Sequence, residues 1–251
     1  MEDLEIETTF SNSTFEEKVS IAKKIVYASL FTSFASMVNS IKDTISMYFL
    51  GMNNDPFVFG AFGFSVMWIN VFGVALMFGM LAGFGTLAAQ AYGARNFRKM
   101  GLLYHKAQVV IMCFVVLVVI FMYFTDNVLM MMGFEEAFAK EVWKGCLGLV
   151  PGFVMFTIFN LGRFYANSAG VFEAGAYSLM ISVVSQIPLA FIFIRVLDLK
   201  LLGACFSRVF TDCLSAILIH TYLKRKNPCP EGMIPWSKES LDDIIPFTKE
   251  V

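Results

Sequence analysis

Charge is scarce in this chain. Asp, Glu, Lys and Arg make up 16% of its 251 residues, against about 25% in an ordinary soluble domain. That shortage removes the solvated surface a water-soluble globule of this size needs. Neither sign prevails, since the net charge is −1, so a strongly basic nucleic-acid binder is not expected. Only two histidines occur, His105 in what reads as a basic loop and His220 near a helix end. Each stands alone, so both are expected to be surface or packing residues. The five cysteines (113, 146, 205, 213 and 229) form no Cys-x-x-Cys pair and are odd in number. Four lie in or beside apolar runs, so small buried hydrophobes are expected rather than a zinc site or a disulfide framework. A nucleophile elbow, a His-Glu-x-x-His helix and a P-loop are all missing. No enzyme activity, catalytic residue, cofactor or metal site is therefore predicted.

Long apolar runs are what the chain has instead. Apolar residues reach 57%, with 28 Phe and 16 Met, and the mean hydropathy is +0.68. Disorder is excluded for most of the chain by the same composition. Six stretches, at about 25–50, 57–90, 105–124, 142–162, 176–197 and 201–223, each reach the ~20 residues that cross a bilayer as a helix. They stay apolar far longer than the alternating strands of a membrane barrel. The predicted fold class is all-α, an integral membrane bundle of six transmembrane helices over 21–223. An acidic flexible tail is expected over 1–20. Residues 224–251 are expected to be a cytoplasmic linker with an amphipathic helix at 237–245.

Basic residues set the orientation. Lys18, Lys23 and Lys24 precede the first helix. Arg95, Arg98, Lys99 and Lys106 gather between helices two and three, and Lys224, Arg225 and Lys226 follow helix six. Six spans with both termini cytoplasmic fit this pattern; Arg195 and Lys200 fall on the far side. The acidic start has no basic region ahead of an apolar core, so it is not expected to act as a secretory signal. A plasma or a vacuolar membrane fits equally, with lipid as the constant partner.

Ionisable residues inside membrane spans point to function, because placing a charge there is costly. Lys42 and Asp43 lie in the first span, Arg208 and Asp212 in the sixth. Asn39 is four residues before Asp43, on the same helical face. A carboxylate in a poorly solvated cavity holds a proton more readily than one in water, and with Asn39 beside it could instead ligate sodium. Asp43 and Asn39 are thus candidates for proton or cation coupling. The bland alternative hydrates Asp43 near a helix end with Lys42 snorkelling outward. Arg208 and Asp212, spaced i,i+4, read as a charge-compensating pair, or else Asp212 lines a cavity. Asn70, Gln90, Asn160 and Gln186 interrupt other spans as interhelical hydrogen-bonding groups or cavity-lining residues. Pro151 and Pro188 are candidate kinks. The segment Gly83–Ala88 superficially looks like a dinucleotide loop, but it lies inside an apolar run with no strand before it. Ala75, Gly79 and Gly83 recur at every fourth position and predict close helix packing instead.

The stretch NVFGVALMFGMLAGFGTLAAQAYGARNFRKMG, residues 70–101, resembles the helix two to helix three signature of the multidrug and toxic compound extrusion family. Its centre, Gln90, Ala91, Tyr92, Gly93 and Ala94, matches intact. KDTISMYFLG (42–51) is similar to the family's first helix and puts Asp43 at the acidic position of prokaryotic members. LGLVPGFVMFTIFNLGRFYANSAG (147–170) resembles helix four, with Pro151, Asn160 and Arg163 in matching places. LKLLGACFS (199–207) and the segment 236–247 resemble the start of helix six and the linker between the family's two lobes. The pattern departs where prokaryotic members carry a second Asp in helix five, since residues 182–193 hold Gln186 and no acid. It also lacks the helix-seven Glu of eukaryotic members.

The resemblance implies one lobe of a twelve-helix, two-lobe transporter. Such a protein exports organic cations or amphipathic xenobiotics in exchange for protons or sodium, with Asp43 responding to the ion. Asn160, Gln186, Asp212 and Asn70 would line the substrate cavity. A second lobe would come from homodimerisation or a longer chain. The alternative is a transport-incompetent truncated or regulatory membrane subunit that pairs with a full transporter.

Overall fold

The computed structural model describes residues 15–52 and 55–226. Seven helices cover nearly all of them: α1 (Phe15–Gly51), α2 (Pro56–Gly93), α3 (Phe97–Tyr123), the short α4 (Thr125–Met131), α5 (Glu136–Ser168), α6 (Glu173–Val196) and α7 (Lys200–Lys226). All six expected spans are present as long helices. Five, α2, α3, α5, α6 and α7, are long and apolar enough to cross a membrane by length and composition. The sixth, α1, has the length but carries Thr32, Ser33, Ser36, Ser40, Thr44 and Ser46 beside Lys42 and Asp43. Several of its hydroxyls are satisfied locally: Ser36 Oγ donates to Thr32 O at 3.1 Å, and Thr44 Oγ1 to Ser40 O at 3.2 Å. A helix can carry such groups through lipid or against a partner without leaving them unpaired. The molecule is a multi-pass integral membrane protein.

Sequence chemistry sets the helix ends. Asp55 caps α2, its Oδ1 accepting from Val58 N at 3.3 Å, and Pro56 follows in the first turn, where its missing N–H costs nothing. The Gln90–Ala94 motif ends α2. Ala94 N donates to Gln90 O at 2.9 Å, Arg95 takes a left-handed φ of 56°, and Asn96 N returns to Ala91 O at 3.0 Å. Asn96 then caps α3, accepting from Lys99 N at 3.0 Å. The motif is thus a compact helix stop and start. Two π-helical stretches, Asn70–Val74 in α2 and Phe191–Val196 at the end of α6, disturb otherwise regular helices. The second follows Pro188, which cannot donate to the ladder.

Helix α5 runs through the centre, burying Val142, Cys146, Phe153, Phe156 and Phe159 against its neighbours. Three of its glycines bring it close to α7. A Cβ at Gly148 would lie 3.1 Å from Cys205 Cβ, one at Gly152 3.3 Å from Val209, and one at Gly162 3.4 Å from Ile219. All three neighbours are on α7. The close packing expected at Ala75, Gly79 and Gly83 is not found at Gly79, where a Cβ would meet nothing within 4 Å. Close contact on α2 falls instead at Gly63, Gly73 and Gly85, where a Cβ would come within 2.6, 3.0 and 3.0 Å of Met47, Phe153 and Phe164. Leu76, Leu117, Ile120, Val184 and Ile217 are exposed on the outside, as lipid-facing side chains would be.

Several placements differ from expectation. α1 begins at Phe15, inside the stretch read as acidic tail. The amphipathic helix expected at 237–245 lies outside the described residues. His105 sits within α3 and is buried, not in a loop, because α3 starts at Phe97 rather than near 105. His220, by contrast, is a half-buried packing residue near the end of α7, as expected, with Tyr104 Oη 3.3 Å from its Nε2.

Candidate functional site

Helices α1 and α7 bring together the four charged residues of the first and sixth spans. Lys42 Nζ lies 3.0 Å from Asp212 Oδ1 and 3.4 Å from Ser215 Oγ. Arg208 Nε donates to Asp212 Oδ2 at 2.9 Å, and its other arm pairs with Asp43 Oδ1. The order of charges is Lys42, Asp212, Arg208, Asp43, two cations alternating with two carboxylates, and the sum is zero. Alternation lets each buried charge face opposite charge, which is how such groups are tolerated away from water. Lys42 therefore does not snorkel outward: its side chain is 0% exposed, because Asp212 draws it inward.

Exposure grades along this row. Lys42 and Asp212 are sealed, whereas the side chains of Arg208 and Asp43 are 13% and 24% exposed. The exposed end opens on a cleft of about 40 Å³ lined by Asp43, Asn70, Phe153, Phe156, Arg208 and Asp212, among others. That is room for a few waters. The Arg208 guanidinium also stands 5.9 Å from the centre of the Phe156 ring, within cation–π range. Asn70, at the start of the π-helical stretch, and Asp212 are among the residues that line this cleft.

Asn39 and Asn160 belong elsewhere. They line a second cavity of about 110 Å³ with Ser36, Phe78, Phe156, Phe159, Arg163 and Leu179. The i,i+4 relation between Asn39 and Asp43 holds along α1, but the two side chains face different cavities, with Phe156 forming a wall of both. Asn160 Nδ2 donates to Phe156 O at 2.8 Å.

Gln186 lines neither cavity. It is fully buried, donating through Nε2 to Ser46 Oγ at 2.7 Å and Ser207 Oγ at 3.2 Å, and accepting from Thr211 Oγ1 at 2.6 Å. A single amide thus joins α1, α6 and α7 and fixes the frame on which the charges sit. Sequence spacing revealed the Arg208–Asp212 pair but not its links to α1, since 170 residues separate Lys42 from Asp212. Equal and opposite charge in the two spans was the available signal. Phe156, one of many Phe, carried none. Among the described residues no cluster of His, Cys, Asp or Glu could hold a metal ion.

The MatE family model matches residues 32–192. Protein DETOXIFICATION 9 of Arabidopsis thaliana is 26% identical over 170 residues, which cover 68% of this chain and 35% of the relative. Protein DETOXIFICATION 48 of the same plant is 21% identical over 228 residues, covering 91% and 43%. Among solved structures, the eukaryotic MATE transporter AtDTX14 superposes with a TM-score of 0.85 at 18% identity, covering 92% of this chain and 51% of that one. A multidrug resistance MATE family transporter in an outward-facing conformation gives 0.73 at 20% identity, covering 89% and 50%. The chain thus spans about half the length of these structures and less than half of the curated relatives.

Proposed function

Because the chain belongs to the MatE family, we propose that it supplies one lobe of an efflux antiporter for organic cations or amphipathic compounds, with Asp43 as its ion-responsive group. The observation that carries this reading is the graded charge row. Its outer end, Arg208 with Asp43, is the more exposed part and lines the cleft together with Asp212, whereas Lys42 is sealed away from it.

With Asp43 ionised, Arg208 acts as a built-in counter-cation and the row is neutral. A cationic cargo or a sodium ion reaches Asp43 only by displacing the outer arm of Arg208, whose Nε stays on Asp212. The Phe156 ring at the edge of the cleft offers a cationic cargo a cation–π contact of its own. When Asp43 takes up a proton, the row gains one net positive charge, and a cation in the cleft is repelled. Proton uptake and cation release are thereby linked by charge alone. The basic ends Arg95, Arg98 and Lys99 after α2 and Lys224, Arg225 and Lys226 on α7 fall on one side of an up-and-down bundle, which supports a cytoplasmic side there. A second six-helix lobe, from a longer chain or a second copy, would close the cleft.

The test is ethidium transport into proteoliposomes made from the protein purified in mild detergent from its own membrane, across a range of pH. Asp43→Asn should lower the rate about tenfold or more, the effect of one charge-assisted contact, and flatten the pH profile. A variant that transports at the wild-type rate with an unchanged profile removes Asp43 from the mechanism.

A further inference from the structure

The second cavity carries the opposite electrostatic character to the first. Arg163, from α5, is only 6% exposed. No carboxylate among the described residues pairs with it, and its Nε has no hydrogen-bond partner there. Its guanidinium stands 6.0 Å from the Phe78 ring centre and 5.8 Å from that of Phe164. Ring faces attract a cation but accept none of its N–H hydrogen bonds, and the buried Nε–H is left unmet. Gly175 accommodates the stem: a Cβ there would come within 2.8 Å of Arg163 Cγ and Cδ. The stem is therefore held against α6 while the head borders the cavity.

The polar groups around it are complementary. Asn39 Oδ1 is buried without a hydrogen-bond partner. Asn160 Nδ2 uses one of its two hydrogens on Phe156 O. A buried cation and an unmet acceptor facing one space of about 110 Å³ leave two desolvated groups unpaired. Such groups are ordinarily satisfied in a folded protein, by water or by a ligand.

The geometry points to a binding site for a small carboxylate that also carries a hydroxyl donor, its carboxylate on Arg163 and its hydroxyl on Asn39. The cavity is smaller than the ~150 Å³ apolar cavity known to admit benzene, so the enclosed group is of lactate size. This site is separate from the coupling role given to Asp43. Equilibrium binding reads it without transport.

The experiment is calorimetric titration of the purified chain, in nanodiscs of phosphatidylcholine alone, with lactate, propionate and lactamide. Lactate should bind. Lactamide, which lacks the charge, should bind about tenfold or more weakly, as expected for loss of a charge-assisted hydrogen bond. Propionate, which lacks the hydroxyl, should fall between them. Arg163→Gln should abolish the preference for lactate over lactamide. Asn160→Asp keeps Arg163 and its stem packing but places a carboxylate one helical turn away, so it should weaken lactate to a similar degree. This second variant preserves the test if Arg163→Gln fails to fold. Absence of measurable lactate binding at 10 mM, a concentration chosen on the order of weak millimolar affinity, overturns the proposal. So does equal affinity for lactate and lactamide, or lactate binding unchanged in Asn160→Asp.

Discussion

Removing Lys42 should destabilise the lobe out of proportion to the apolar volume involved. In Lys42→Met the stem is nearly conserved, so packing changes little. What changes is charge: Asp212 keeps Arg208, Asp43 keeps the other arm of Arg208, and the row goes from neutral to one net negative charge in a site where Lys42 and Asp212 are 0% and 3% exposed. Breaking a buried pair from one side costs about 3–5 kcal/mol. At about 2–4 °C per kcal/mol for a chain of this size, the melting temperature should fall by about 6–20 °C. Thermal unfolding in mild detergent, followed by circular dichroism, reads the shift. The companion variant Lys42→Met with Asp212→Leu removes both members of the inner pair and leaves Arg208 with Asp43. It should recover much of the loss, because two apolar groups replace an ion pair without leaving an orphan charge. If the single variant melts within a degree or so of the wild type, or if the double variant is as unstable as the sum of the singles, the charge-row argument is refuted.

Other outcomes follow from the same contacts. Gln186→Leu removes an amide that bridges Ser46, Ser207 and Thr211, and should cost about 1–3 kcal/mol in the same unfolding assay. Gly148→Val forces a side chain onto Cys205 and should cost about 1–3 kcal/mol by overpacking; adding Cys205→Ala should return part of it, whereas an unrescued variant would mean the clash lies elsewhere. Native mass measurement of the purified protein, whose given chain is 28.1 kDa, should find a species near twice that mass. A six-helix monomer would leave the cleft with one wall and contradict the two-lobe reading.

The helical plan was legible because its signal is local. Twenty apolar residues in a row announce themselves, and Asp55, Asn96 and Gly170 punctuate them near the expected breaks. Hydrogen bonds and charges between helices were legible only as potential. Arg208 and Asp212 share one face by spacing, but whether Lys42 turns outward or toward Asp212 depends on how α1 rotates against α7, and no short window of sequence encodes that rotation. The same applies to Asn39, which shares a helical face with Asp43 yet is separated from it by a ring supplied from α5. Small-residue spacing misled at Gly79 for a related reason. Both α2 and α5 carry glycines at helical intervals, and only the tertiary partner distinguishes a contact from a groove in the lipid-facing surface. Arg163 stood out only through its place in a family motif, because an unpaired cation becomes visible once its surroundings are known to hold no acid.

Phe156 is one ring with a different tenant on either side. A side chain that walls two cavities cannot turn for one without reshaping the other, and a close-packed interior gives it few stable positions. Whatever occupant favours one rotamer therefore sets the terms on which the neighbouring cavity fills. Thermodynamic linkage makes that influence mutual and equal in free energy. The lobe thus has, in a single unremarkable phenylalanine, the means for two chemically opposite guests to sense each other without touching.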